Sequence, residues 1–275
     1  MKLSGSTQIA ALLCATAGVT HADLIGINYS TGDVFSISTV DASTTLLGRT
    51  DTGIMGIDRD QNGDLLTITD GLNGSLGVLD EYNWQIREVG NLGAGFTFEG
   101  GLAVSGTGEI FGASRLTGGG RAIFQISRSS GDVMRSTVLS RLDVDLNGMQ
   151  FRSDGVMVAI DALAGDFVSI DTSTGLMTHI SSLETLSPGA VGGLALQDGL
   201  GYYITAGPVS GSEGDNSLYS IDFYTGEQRF IGTLDDAAGA GFGIGALVGT
   251  TVPSPGALPV LGLAGVILGT RRRRR

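Results

Sequence analysis

Between Asp23 and Thr250, apolar and polar residues alternate in runs of four to six, with Gly, Ser, Asp or Asn between the runs. A period of two predicts half-buried β-strands, and closely spaced turn residues predict tight hairpins joining them. No stretch of this region carries a convincing helical period, so an all-β domain is expected.

One strand-like segment recurs five times. GDVFSIS ends at Ser38, and its counterparts GSLGVLD, RAIFQIS, GDFVSID and NSLYSID end at Asp80, Ser127, Asp171 and Asp222, with spacings of 42, 47, 44 and 51. After each comes a turn, most clearly RSSGD, TSTGL and FYTGE, and then another strand such as STTLLGRT or EQRFIGTL. A second register, out of phase with the first, places a glycine at the head of an apolar strand. It occurs at Gly56, Gly101, Gly148, Gly193 and Gly245, spaced by 45, 47, 45 and 52.

Four strands of about five residues with their turns fill about 45 residues, the size of one β-propeller blade. The offset between the registers predicts how the ring closes. The chain begins in the second strand of a blade, Leu24 to Asn28, and ends in an innermost strand, Ile244 to Val248. The C-terminal strand is therefore expected to complete the first of five four-stranded blades, leaving no open seam. A six-bladed ring with one degenerate blade is the alternative. Glycine is expected at the inner strands because they crowd the axis.

The ends read differently. Residues 1–22 carry a single Lys2, an apolar stretch from Ile9 to Val19 and a small residue, Ala22, before Asp23. This predicts a signal peptide cleaved between Ala22 and Asp23. Cleavage would remove Cys14, the sole cysteine, and with it any disulfide framework or thiol chemistry. Leu13 beside it departs from a lipoprotein signal, which needs a small residue there. At the other end nothing from Ala237 to Thr270 is charged, and Gly256 to Thr270 predicts a C-terminal transmembrane helix. Its 15 residues span about 22 Å, short of a bilayer core of about 30 Å. Arg271, Arg272, Arg273, Arg274 and Arg275 follow it and would stop transfer.

Pro253-Ser254-Pro255, the apolar helix and the terminal arginine cluster together resemble the PEP-CTERM sorting signal of bacteria that make exopolysaccharide. Ser254 stands where that family usually has Glu. The resemblance implies processing by an exosortase-like membrane protease and a place at the cell surface or in the extracellular matrix, anchored transiently or permanently. The expected organisation is signal peptide 1–22, propeller 23–250 and sorting segment 251–275.

Charge narrows the partners. The central region holds all 28 Asp and Glu, ten arginines and no lysine, a net −18. Such a surface repels nucleic acid and anionic lipid.

Candidate chemistry is sparse. Asp58, Asp60 and Asn62, followed by Gly63, match the first half of a calcium loop. Thr69 stands where such a loop needs its bidentate Glu, and Gly63 aligns with Gly108, Gly155 and Gly199 as a hairpin turn. No other cofactor is expected. His179 is the only histidine left after Ala22, and with no cysteine or lysine beside it most nucleophilic triads and imidazole-rich metal sites are excluded. Carboxylate-only catalysis remains open, with Asp51, Glu99 and Asp145, beside Asn147, in segments leading into inner strands. Trp84 and the pair Tyr202-Tyr203 serve either to stack on sugars or to pack the core.

These features point to a non-enzymatic binding module whose partners are exopolysaccharide or other surface proteins. The alternative is a polysaccharide-acting hydrolase or lyase. A deep polar channel holding two carboxylates would favour the enzyme; a plugged, glycine-lined channel would favour the binder.

Overall fold

A computed structural model describes residues 23–69, 74–93, 96–116, 119–183, 191–205, 216–234 and 243–250, with only the backbone described at 96–100 and 191. Its elements are twenty β-strands arranged as five four-stranded antiparallel sheets. Blade one takes β1 (Asp23–Asn28), β2 (Asp33–Ser38) and β3 (Thr44–Arg49), with β20 (Ile244–Gly249) as its innermost strand. Blade two is β4 (Ile54–Arg59), β5 (Leu65–Thr69), β6 (Ser75–Leu79) and β7 (Ile86–Asn91). Blade three is β8 (Phe96–Val104), β9 (Ile110–Leu116), β10 (Arg121–Ile126) and β11 (Val133–Val138). Blade four is β12 (Leu146–Phe151), β13 (Met157–Asp161), β14 (Asp166–Ile170) and β15 (Met177–Ser182). Blade five is β16 (Val191–Gln197), β17 (Leu200–Thr205), β18 (Ser217–Ile221) and β19 (Gln228–Thr233).

The expected closure is present. β20 pairs antiparallel with β1, with Leu24 opposite Gly249 and Ile27 opposite Ala246. The inner strands β4, β8, β12, β16 and β20 touch in cyclic order, so the ring has five blades. Burial follows position in the blade. The described side chains of the innermost strands are almost wholly buried, whereas β3, β7, β11, β15 and β19 present mainly exposed residues. Five apolar clusters fill the five gaps between neighbouring blades. That between blades three and four, for example, joins Phe111 and Ile123 to Met149 and Val168.

Two rings of backbone contact explain the repeated sequence. In the inner ring a methyl group at Gly56 would lie 2.7 Å from the Leu102 nitrogen, and one at Gly148 would lie 2.8 Å from that of Leu194. Glycine therefore marks where adjacent inner strands touch. In the outer ring, the turn between the third and fourth strands of each blade packs on the outermost strand of the blade before it. Trp84 covers Gly48, Ser130 and Gly131 meet Gly90, Gly175 meets Val138, Gly226 meets Ser181, and Asp41 and Ala42 of blade one meet Gly232 of blade five. The last contact closes this ring as β20 closes the inner one. The packing residue sits in the left-handed region in all five turns, at Ala42, Trp84, Gly131, Gly175 and Gly226. Its N–H donates to the carbonyl four residues earlier each time, as Gly226 does to Asp222 at 2.8 Å.

Two expectations about the ends are corrected. The described elements are strands and turns without a helix, and none among the described residues is a helix long and apolar enough to cross a membrane. The C-terminal transmembrane helix expected over 256–270 is not an element of the described fold, whose last strand is β20, and a run of 15 residues is short of a bilayer core. Membrane anchorage through a C-terminal helix therefore finds no support in the described fold. Residues 1–22 and 251–275, including the Ala22–Asp23 junction's first member, Pro253 to Pro255 and the terminal arginines, lie outside the described residues.

Candidate functional site

Among the described residues the axial channel is narrow. Gly56, Gly101, Gly148 and Gly193 line it together with Met55, Asn147 and the residues that follow the glycines. Asp58, on β4 of blade two, reaches across the axis. Its Oδ2 accepts the Val104 N–H of blade three at 2.7 Å, and its Oδ1 accepts the Gln150 amide of blade four at 3.1 Å and the Arg59 N–H at 2.8 Å. One carboxyl thus ties three blades, two of them not adjacent. Burial pushes it up to about 6, against the lowering effect of those hydrogen bonds.

The calcium residues do not converge. Asp58 is committed to the axis, whereas Asp60 lies beyond the end of β4 in the hairpin turn. There its Oδ1 accepts the N–H groups of Asn62 and Asp64, and its Oδ2 pairs with Arg128 at 3.1 Å. The turn closes through the Gly63 N–H on the Asp60 carbonyl, and Gly63, Gly108, Gly155 and Gly199 all have positive φ. Among the described residues no group of three or more His, Cys, Asp or Glu is placed to hold a metal. Trp84, Tyr202 and Tyr203 are buried: Trp84 donates its indole N–H to the Leu47 carbonyl, and Tyr203 stacks on Tyr219. They pack the core and do not offer a sugar platform.

The three candidate carboxylates part company. Asp51 is exposed on the approach to β4. Glu99 falls inside β8, which starts earlier than its glycine suggests, and only its backbone is described. Asp145 stands where blade three crosses into blade four and is half-buried.

Around Asp145 three segments meet. The crossover from Ser140 to Asp145 docks on the β13–β14 connection, because the Asp145 N–H donates to Asp161 Oδ1 at 3.1 Å and the Ala162 N–H donates to the Asp145 carbonyl at 2.7 Å. The β9–β10 hairpin forms the other wall, through the Leu139 N–H on the Arg121 carbonyl at 2.9 Å. Burial raises the Asp145 carboxyl above the usual carboxylate range; Arg121 opposes this, Asp161 adds to it and Arg115 opposes it. Asp161 is fully buried, and its Oδ1 also accepts the Leu163 and Ala164 N–H groups. Its Oδ2 lies 3.2 Å from Arg141, which reaches Asp166 at 3.7 Å. His179, on β15 at the rim, sits 3.4 Å from Asp166. Exposed Leu142 and Leu163 flank this mouth, and a small cavity lined by Ser114, Arg121, Leu139, Val144 and Leu146 opens beside it.

Sequence reading singled out Asp145 but missed its setting. Arg115 and Arg121 face one another across the β9–β10 pair, a relation set by strand register and invisible in their spacing.

No family model and no curated protein matches the sequence. The PEP-CTERM resemblance therefore gains no support as a family assignment. Among solved structures, a protein of unknown function from Bacteroides thetaiotaomicron has a TM-score of 0.51 at 14% identity, over 78% of this chain and 56% of its own. A protein of unknown function from Bacteroides caccae has a TM-score of 0.47 at 11% identity, over 84% of this chain and 99% of its own. A glutaminyl cyclase from Myxococcus xanthus has a TM-score of 0.49 at 18% identity, over 68% and 72%. At these identities the likeness concerns fold, and fold alone does not carry function.

Proposed function

We propose that the mouth between blades three and four is the working site, and that it binds a polar, oxygen-rich ligand. The observation that carries this reading is the contrast between the narrow axis and the mouth. Among the described residues the Asp58 link and the glycine contacts leave only a small space on the axis. The mouth instead offers guanidinium, carboxyl and leucine side chains on an open surface, suited to a chain passing over it.

A specific observation favours a second reading, the hydrolase or lyase. Asp145 is raised by burial, while Asp161 is pinned as an acceptor by backbone N–H groups and Arg141. A raised carboxyl beside a second, hydrogen-bonded one is the pairing from which carboxylate-only hydrolysis is built. The test is to incubate the protein with neutral and acidic oligosaccharides, reading binding by calorimetry and chain length by mass spectrometry. A binder retains every oligosaccharide intact, and Asp145→Asn changes its affinity. An enzyme shortens one of them, and Asp145→Asn stops this while binding persists. Binding unchanged by Asp145→Asn, Arg115→Gln and Arg141→Gln would place the site elsewhere.

A further inference from the structure

We infer that the ligand of this mouth is an uncharged sugar unit, whose hydroxyl groups are held by Arg141 and Asp161 beside Leu142 and Leu163. This identity rests on the binding reading above. The ion pair is its first support. Arg141 Nη2 lies 3.2 Å from Asp161 Oδ2 and Nη1 lies 3.7 Å from Asp166, so the charges answer one another. Yet among the described residues the buried Asp161 Oδ2 accepts no hydrogen bond. Arg141 carries more N–H groups than these two contacts use, and its side chain is 36% exposed. A hydroxyl donates and accepts at once and brings no charge, so it serves both partners without parting them.

A second support comes from the same turn elsewhere in the ring. Asp161 to Gly165 in blade four repeats Asn28 to Gly32 in blade one. In both, the third and fourth residues donate their N–H groups to the first side chain, and the glycine donates to the first carbonyl. Blade one builds this turn with Asn28 and Ser30, so neither the charge of Asp161 nor the exposed Leu163 is a demand of the turn. Leu142 is exposed as well, and it leans on the β9–β10 hairpin, its Cδ2 lying 3.6 Å from where a methyl group at Gly120 would stand. Apolar sides with a few convergent polar groups suit the C–H faces and hydroxyls of a sugar ring. The charge balance excludes an ionic ligand. Asp143, Asp145, Asp161 and Asp166 stand against Arg115, Arg121 and Arg141, each guanidinium already acting on a carboxyl of the protein. An anion would meet the surplus carboxylate, and a cation would meet the guanidiniums.

Calorimetric titration of the full chain with cellohexaose and with an oligoglucuronate of the same linkage tests this. Cellohexaose should bind at least about tenfold more tightly, and its affinity should change less than about twofold between about 50 and 500 mM salt. Leu163→Ser supplies the residue that blade one has in this turn. The double variant Arg141→Gln with Asp161→Asn keeps the turn and leaves no buried charge unpaired. Each should weaken cellohexaose binding about tenfold while circular dichroism stays unchanged. Leu163→Ser, at an exposed position, decides alone if the double variant does not fold. Oligoglucuronate binding as tightly as cellohexaose, and weakened by Asp145→Asn, would overturn the uncharged ligand and leave the mouth as the site. Cellohexaose binding weakened by Asp145→Asn but by neither new variant would overturn the roles of Arg141, Asp161 and Leu163. Binding untouched by every mouth variant would overturn the inference and the binding reading together, and no binding of either oligomer would overturn the inference.

Discussion

Replacing Asp58 by Asn should change how stability depends on pH. The carboxyl rises from its ordinary 3.8 to about 6 in the folded protein because burial disfavours its charge. A carboxyl raised in this way favours folding when protonated. Its stability is fully present below about pH 4 and is lost as pH climbs through about 6. A shift of about 2 units corresponds to about 3 kcal/mol. The Asn variant cannot titrate. It also turns an N–H toward one of the three donors that Asp58 now accepts, at a cost of about 1–3 kcal/mol. At pH 4 the variant should therefore be clearly less stable than the wild type, and at pH 7.5 the gap should close or reverse. Asp33, Asp41, Asp154, Asp171 and Asp222 are held below their ordinary values and act in the opposite sense, but they cancel in the difference. Urea denaturation of both proteins from pH 4 to 7.5 gives that difference directly. A constant difference across the range would refute the account of Asp58 as a buried, titrating latch.

Other consequences follow from the packing. A chain ending at Gly241 lacks β20 and exposes β1 as an inner edge, losing burial of Ile244, Ala246, Leu247 and Val248. At about 1–3 kcal/mol for each larger side chain it should show no cooperative melt, whereas a chain ending at Thr250 should melt as the full one does; equal melting temperatures would disprove ring closure. Gly90→Ala drives a methyl group into the Ser130 carbonyl and should cost about 2–3 kcal/mol, while Gly106→Ala, with open space around it, should stay within about 0.5 kcal/mol in the same denaturant titration. Calcium at millimolar concentration should leave the melting temperature equal to that in chelator, because Asp58 and Asp60 serve separate networks; stabilisation near 2.7 kcal/mol, about that of a ligand at a hundredfold excess over Kd, would revive the loop.

The scaffold was legible because steric demands recur at fixed intervals. Gly56, Gly101, Gly148 and Gly193 repeat since each faces the next inner strand, and the phase offset of the two registers encodes the closure by β20. The site was less so. Asp58 and Asp60 alternate as strand residues on one face would, but β4 ends at Arg59 and Asp60 turns away with the hairpin. Asp145 meets Arg121 and Asp161 only through a crossover and two hairpins, none of which marks the sequence with a motif. The C-terminal apolar run shows the converse: composition invited a membrane helix that the described fold does not contain.

The most direct test of the working site is hydrogen exchange of the full chain with and without a saturating oligosaccharide from the calorimetric series. Protection confined to the amides of 110–116, 139–146 and 161–166 is the expected result. Protection instead at the turns around Asp60 to Asp64 and Asp80 to Trp84, on the opposite end of the ring, would contradict the assignment of function to the mouth between blades three and four.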